Sequence, residues 1–169
     1  VEGENNMKIG ICPGSFDPIT RGHLDIIKRA SSLFDKVIVL VVHNPAKHPS
    51  FTPEERVELI RRSIGDFTNV EVDVYGGLLA DYCRAKGADA IIKGLRAVSD
   101  FEYEFQMALT NKKLNPDCET VFLTTSAENM YLSSSIVKQV AQFGGDISDF
   151  VPVQVLSDIE RRLTHKDPQ

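Results

Sequence analysis

The stretch Lys8 to Phe34, KIGICPGSFDPITRGHLDIIKRASSLF, decides how the chain is organised. It predicts a short buried strand over Lys8 to Cys12, a stop at Pro13-Gly14, a loop, and an amphipathic helix. The helix repeats apolar Leu24, Ile27, Ala30 and Phe34 at helical period, which gives it one buried face. The intervening PGSFDPITRGH packs two prolines and two glycines into eleven residues. Proline fixes such a backbone and glycine opens it, so N–H groups and a helix N-terminus can approach an anion closely. His23 falls in the first helical turn, where the helix dipole favours a bound phosphate. A lone first-turn histidine is also an ordinary polar surface residue, and a Gly/Pro loop is common between strand and helix. Spacing alone leaves both readings open.

Outward from this stretch, the pattern of strand then helix repeats. Lys36 to Val42 is a continuous β-branched run of the kind buried on both faces of a parallel sheet. His43-Asn44-Pro45-Ala46-Lys47-His48-Pro49 breaks it. Thr52-Pro53-Glu54-Glu55 supplies an N-cap, a proline at the first helical position and a capping-box glutamate. Val57, Ile60 and Ile64 then form one helical face. A strand over Val70 to Val74 leads through Gly76-Gly77 to a helix from Leu78 to about Lys86. Ala90 to Lys93 is the fourth strand, and Ser99-x-x-Glu102 is expected to cap a helix reaching about Leu114. Thr120 to Leu123 is the fifth strand, with helices starting near Ser134 and Pro152. Strand and helix alternate five times before a terminal helix, which predicts an α/β fold: one domain with a doubly wound, five-stranded parallel sheet, Rossmann-like, over 7–163. In such sheets ligands bind at the carboxyl ends of the strands. Ser15 and His23, Lys47, Leu79, Lys93 and Arg96, and Tyr131 to Ser135 each follow one of the five strands, and so converge on that edge.

Composition narrows the function classes. At 169 residues, 42% hydrophobic and 25% charged, the chain has the make-up of one globular domain with a full-sized core. A net charge of −5 argues against broad binding to nucleic acid or an acidic membrane, while leaving room for a local basic pocket. Cys12, Cys83 and Cys118 form no C-x-x-C pair, which fits a reducing compartment better than a disulfide framework or a zinc site. The longest apolar run, Val37 to Val42, is six residues, far too short to span a bilayer. No basic-then-apolar leader precedes Met7, and a cytoplasmic protein is expected. Val1 to Asn6 is expected to be a remnant or frayed end, and 164–169 a tail.

Three motifs carry the chemistry. Gly14-Ser15-Phe16-Asp17-Pro18-Ile19-Thr20-Arg21-Gly22-His23 resembles the G-x-F-x-P-x-T-x-G-H signature of the nucleotidylyltransferase superfamily, whose T/H-x-G-H element contacts nucleoside triphosphate phosphates. Gly94-Leu95-Arg96-Ala97-Val98-Ser99-Asp100-Phe101-Glu102-Tyr103-Glu104 looks like the G-L-R-x-x-x-D-F-E-Y-E stretch of the phosphopantetheine adenylyltransferases. Ser133-Ser134-Ser135-Ile136-Val137-Lys138 is similar to the I-S-S-S-x-V-R/K element of that family. Physically, hydroxyls at a helix start add donors to free backbone N–H groups, although one serine is an ordinary N-cap. The resemblance runs from Met7 to about Arg162. It implies transfer of the adenylyl group of ATP to 4′-phosphopantetheine, giving dephospho-coenzyme A and pyrophosphate, with Mg2+.

The resemblance also implies roles. His23 stabilises the pentacoordinate α-phosphate, Lys47 grips the attacking and transferring phosphates, and Ser15 hydrogen-bonds both reacting groups. Ser15, Phe16, His23, Gly94, Leu95, Arg96, Glu104 and Asn129, Met130, Tyr131, Leu132, Ser133, Ser134 and Ser135 hold ATP. Ser15, Lys47, Leu79, Lys93, Tyr103 and Asn111 contact phosphopantetheine. The position of Lys93 is often Arg in the family; Lys keeps the charge but loses the bidentate fork. No carboxylate pair marks a metal site, so Mg2+ is expected on ATP phosphates and water. A homohexamer and feedback by coenzyme A are further implications of the resemblance. Two alternatives stand beside this reading: another nucleotidylyltransferase, such as one for nicotinate mononucleotide, and a non-catalytic ATP-binding regulator. No Walker A motif is present.

Overall fold

The computed structural model describes residues 6–43 and 48–164. Five strands, β1 Ile9–Gly14, β2 Lys36–Val42, β3 Val70–Tyr75, β4 Ala90–Leu95 and β5 Glu119–Thr124, form one parallel sheet in the order β3-β2-β1-β4-β5. Six helices connect and follow them: α1 Arg21–Leu33, α2 Pro53–Ser63, α3 Leu79–Lys86, α4 Val98–Leu114, α5 Ser134–Gln142 and α6 Leu156–Thr164. The predicted doubly wound parallel sheet is therefore present.

Alternation along the central strands sorts the core into two layers. Val37, Val39, Val41 and Ile92 pack with Ile27, Ile60, Val137 and Ile159 under α1, α2, α5 and α6. Ile11, Ile38, Leu40 and Ile91 pack with Tyr82 and Cys83 of α3. Every second side chain points to the opposite face of a strand, so a sheet covered on both sides needs unbroken apolar runs. Lys36 to Val42 meets that demand.

The helix starts follow the local chemistry. Thr52 accepts from the Glu55 N–H and Glu55 accepts from the Thr52 N–H, closing the predicted capping box with Pro53 in the first turn. α4 departs from expectation: its N-cap falls on Ala97 without a side-chain bond, two residues before the predicted cap at Ser99. The helix begins almost directly from the end of β4, with Asp100 of its first turn paired to Arg96 at 3.3 Å.

Pro13 does not stop β1, contrary to expectation. The Lys36 N–H bonds the Lys8 carbonyl and the Asp89 N–H bonds the Ile9 carbonyl, so even-numbered residues face β2 and odd-numbered ones face β4. Proline at an odd position leaves the β2 ladder whole, and Pro13 stays in register with Leu40 and Gly14 with Val41. On the other side the pairing of β1 with β4 covers only Gly10 with Ala90 and Ile11 with Ile91. Beyond those two pairs the strands part, at their carboxyl ends.

Candidate active site

The parting of β1 and β4 opens a cavity of about 250 Å³. Its floor is Cys12, Pro13 and Gly14 from β1 with Ile92, Lys93 and Gly94 from β4. Its walls are Phe16, Thr20, Gly22 and His23 on one side and Asn129, Leu132, Ser133 and Ser134 on the other, with Arg96, Glu104 and Thr125 at the rim. Gly94 is needed for a close approach: a Cβ there would lie 3.0 Å from Ile26 Cγ1 of α1.

Two helix N-termini, those of α1 and α5, meet at this cavity, and each brings free N–H groups and positive dipole charge. Lys93 and Arg96 add two cations. Among the described residues Glu104 is the single carboxylate of the lining, and it pairs with Lys93 at 3.4 Å. Such a surface suits a polyanion. Arg96 reaches across to the Leu132 carbonyl at 3.0 Å, and so joins the end of β4 to the loop before α5. Ser133 caps α5 by accepting from the Ile136 N–H at 3.2 Å.

His23 is held on both sides. It occupies the third position of α1, where its N–H donates to the Thr20 hydroxyl at 3.2 Å and its Nδ1 accepts from the Thr20 N–H at 3.0 Å. This is a capping box with imidazole in place of the usual glutamate. Because Nδ1 accepts, the proton of the neutral ring sits on Nε2. The ring of Phe16 meets the imidazole edge-on at 4.9 Å. Burial, then the positive charge of Arg96 and of Lys93, push the His23 pKa down to about 4. The imidazole is therefore neutral at pH 7 and offers an N–H to the cavity. An unfolded His23 takes up a proton near its ordinary value of 6.5, the folded one only near 4, so folding loses stability as pH falls through that interval. Urea unfolding midpoints of His23→Gln should fall less between pH 6.5 and pH 4 than those of the parent; equal slopes would refute the shift.

A second cavity of about 100 Å³ adjoins the first and shares Lys93 and Glu104 with it. It is lined by Leu79, Ile91, Tyr103, Met107, Ala108, Asn111 and Thr120. Leu79, Lys93, Tyr103 and Asn111, four residues singled out for one substrate, thus come together in a single pocket. Of those singled out for ATP, Phe16, His23, Gly94, Arg96, Glu104, Asn129, Leu132, Ser133 and Ser134 line the larger cavity. Ser15, Leu95, Met130, Tyr131 and Ser135 are outside that lining, and Tyr131 packs edge-on against Phe150 instead. Lys47 lies outside the described residues. Sequence reasoning named Thr20 only as a letter of its motif and passed over Thr125. A threonine three residues ahead of His23, and a threonine directly after β5, were the signals available.

The cytidylyltransferase-like family model matches residues 11–140. Among solved structures, a bifunctional NMN adenylyltransferase/ADP ribose pyrophosphatase from Francisella tularensis superimposes with a TM-score of 0.72 at 16% identity, over 95% of this chain and 51% of that one. A Vibrio parahaemolyticus protein, provisionally named a nicotinate-nucleotide adenylyltransferase, gives 0.68 at 20% identity over 94% and 97%. These likenesses define the fold class. Sequence relatives go further. The chain is 62% identical over 156 residues to the phosphopantetheine adenylyltransferase of Alkaliphilus metalliredigens, covering 92% of this chain and 99% of that one. It is 56% identical over 160 residues to that of Clostridium botulinum strain 657, covering 95% and 98%. The chain belongs to the phosphopantetheine adenylyltransferase family.

Proposed function

We propose that the joined cavities transfer the adenylyl group of ATP to 4′-phosphopantetheine, forming dephospho-coenzyme A and pyrophosphate, a step of coenzyme A synthesis. The observation that carries this reading is the junction itself. A polyanion cavity between two helix N-termini adjoins, at Lys93 and Glu104, a narrower and more apolar pocket. A triphosphate suits the first and a pantetheine arm the second, which brings the acceptor phosphate to Lys93 beside the α-phosphorus.

The acceptor phosphate is an anion at neutral pH, so the step needs neither a covalent residue nor a strong general base. Catalysis rests on in-line positioning and on donors aimed at the charge of the transition state. The neutral His23 donates its Nε2–H to the α-phosphoryl oxygens. Arg96 and the first turn of α5 hold the distal phosphates, and Ser15 and Lys47 act on the two reacting groups as the family resemblance implies. Among the described residues no group of three His, Cys, Asp or Glu side chains is placed to hold a metal ion. The donor set of the cavity, one carboxylate already paired with Lys93, fits Mg2+ brought in on ATP phosphates and water. Large apolar side chains left exposed along α4, Phe101, Tyr103, Phe105 and Leu109 among them, support assembly into the expected homohexamer. Coenzyme A, which shares the pantetheine arm, would compete for the second pocket. Among the described residues no helix is long and apolar enough to cross a membrane, and a cytoplasmic site of action is part of the proposal.

Pyrophosphate release from ATP and Mg2+, with and without 4′-phosphopantetheine and with nicotinate mononucleotide in parallel, tests the reading. Release that depends on phosphopantetheine supports it. Release with the mononucleotide alone would keep the fold and overturn the substrate. In the same assay Lys47→Ala should lower kcat and raise the KM for phosphopantetheine together; a loop lysine without a role would change neither.

A further inference from the structure

We propose that Asp17 is a positioning residue for adenylyl transfer, holding Phe16, and through it the His23 imidazole, in register with the first turn of α5. The inference rests on the reading of the cavity given above. Asp17 does not line the cavity; it lies behind it and is only 6% exposed. Its carboxylate accepts from the Ser50 N–H at 3.0 Å and the Phe51 N–H at 2.9 Å, and pairs with the Lys138 ammonium of α5. One helical turn before Lys138, the Ser134 hydroxyl donates to the Pro18 carbonyl at 2.7 Å. The Asp17-Pro18 dipeptide thus grips α5 at two successive turns.

What that grip holds in place is Phe16. It sits at φ 48°, in the left-handed region that a bulky side chain enters only under constraint. Such a backbone persists when its surroundings over-determine it. Here Asp17, the residue after Phe16, is held by its contacts with Ser50, Phe51 and Lys138, while buried Arg56 donates to the Ser15 carbonyl before Phe16 at 2.8 Å. The Phe16 ring in turn meets the imidazole at 4.9 Å, and the Thr20 N–H holds the Nδ1 side of that ring. The path runs from Lys138 through Asp17 and Phe16 to His23, the donor proposed for the transition state.

A purely structural role for the ion pair makes a different prediction. A pair with one buried partner, as Asp17 is here beside a partly exposed Lys138, contributes little stability relative to neutral groups of similar volume, because desolvation offsets the attraction; its use is to specify geometry. The double variant Asp17→Asn/Lys138→Met removes both charges at nearly constant volume. Asn accepts only one of the two N–H bonds of Ser50 and Phe51, so the variant is expected to melt up to about 10 °C below the parent while still folding. Its kcat for pyrophosphate release should fall at least about tenfold, with the KM for phosphopantetheine within about threefold. The ring ¹⁵N resonances of His23 should move from a fixed Nε2–H tautomer towards an average of both tautomers. A folded double variant with parental kcat and unchanged ring resonances would overturn the proposal. If the double variant does not fold, Lys138→Met alone decides, since it leaves Asp17 its two N–H partners; a lowered kcat at constant KM supports the role and a parental kcat refutes it. A parent that releases no phosphopantetheine-dependent pyrophosphate would sink the functional reading instead, while the ring resonances would still report whether Asp17 holds His23.

Discussion

His23→Ala is expected to lower turnover by about 100-fold or more while leaving ATP affinity within about threefold, the pattern of a donor used only in the transition state. The affinity is expected to survive because the phosphates keep Arg96 and both helix N-termini. The rate should fall because, among the described residues, nothing else in the lining offers a neutral N–H held from both sides. The ring is fixed by the Thr20 N–H at Nδ1 and by its T-shaped contact with Phe16, and its pKa of about 4 keeps it a neutral donor at pH 7. Alanine also removes the acceptor for the Thr20 N–H, so the variant's melting temperature must be read beside its rate. Turnover from pyrophosphate release and ATP affinity from calorimetry decide the matter. Parental turnover would remove His23 from the mechanism; ATP affinity lost in step with rate would make it a ground-state contact.

The second large effect is expected at Lys93. Lys93→Ala should raise the KM for 4′-phosphopantetheine about 10- to 100-fold, as losing a charged hydrogen bond to an anion does. It should also leave Glu104 without its partner at 3.4 Å, placing an uncompensated carboxylate between the two cavities and repelling both substrates. Lys93→Arg keeps the charge and adds a planar fork suited to phosphate, so it should keep or lower that KM. Steady-state kinetics of the three proteins would check this. A parental KM in Lys93→Ala would place the acceptor phosphate elsewhere.

Much of the fold was legible because its signals are local. A β-branched run such as Lys36 to Val42 fits only a strand buried on two faces, and Thr52-Pro53-x-Glu55 marks a helix start whatever surrounds it. Placement of the polar groups at strand ends followed from element order. The pairing of β1 with β4 was not local, since roughly 80 residues separate them and no short-range pattern records which strands become neighbours. Pro13 was misread for that reason. Its missing N–H matters only once β2 and β4 are known to lie on opposite sides of β1. The Thr20–His23 capping box was missed because glutamate or glutamine is expected at the third helical position. Asp17 was legible as a motif letter but not as a partner of Ser50, Phe51 and Lys138, contacts that span up to 121 positions in sequence.

The two-pair seam between β1 and β4 has a bearing on how the protein responds to its ligands. The sheet consists of a three-stranded part and a two-stranded part, each zipped by six residue pairs per neighbouring strand and joined to each other by two. A triphosphate seated where the seam gapes touches both parts, so its binding free energy is also cohesion between them. At a hundredfold excess over its Kd such a ligand adds about 2.7 kcal/mol to global stability by mass action. The seam predicts where the added protection is concentrated. Amide hydrogen exchange should slow most at Ile91 to Leu95 and in the residues of β1 facing them, and least on β3 at the far edge. The site and the weakest line of the sheet are one place, and occupancy of the first mends the second.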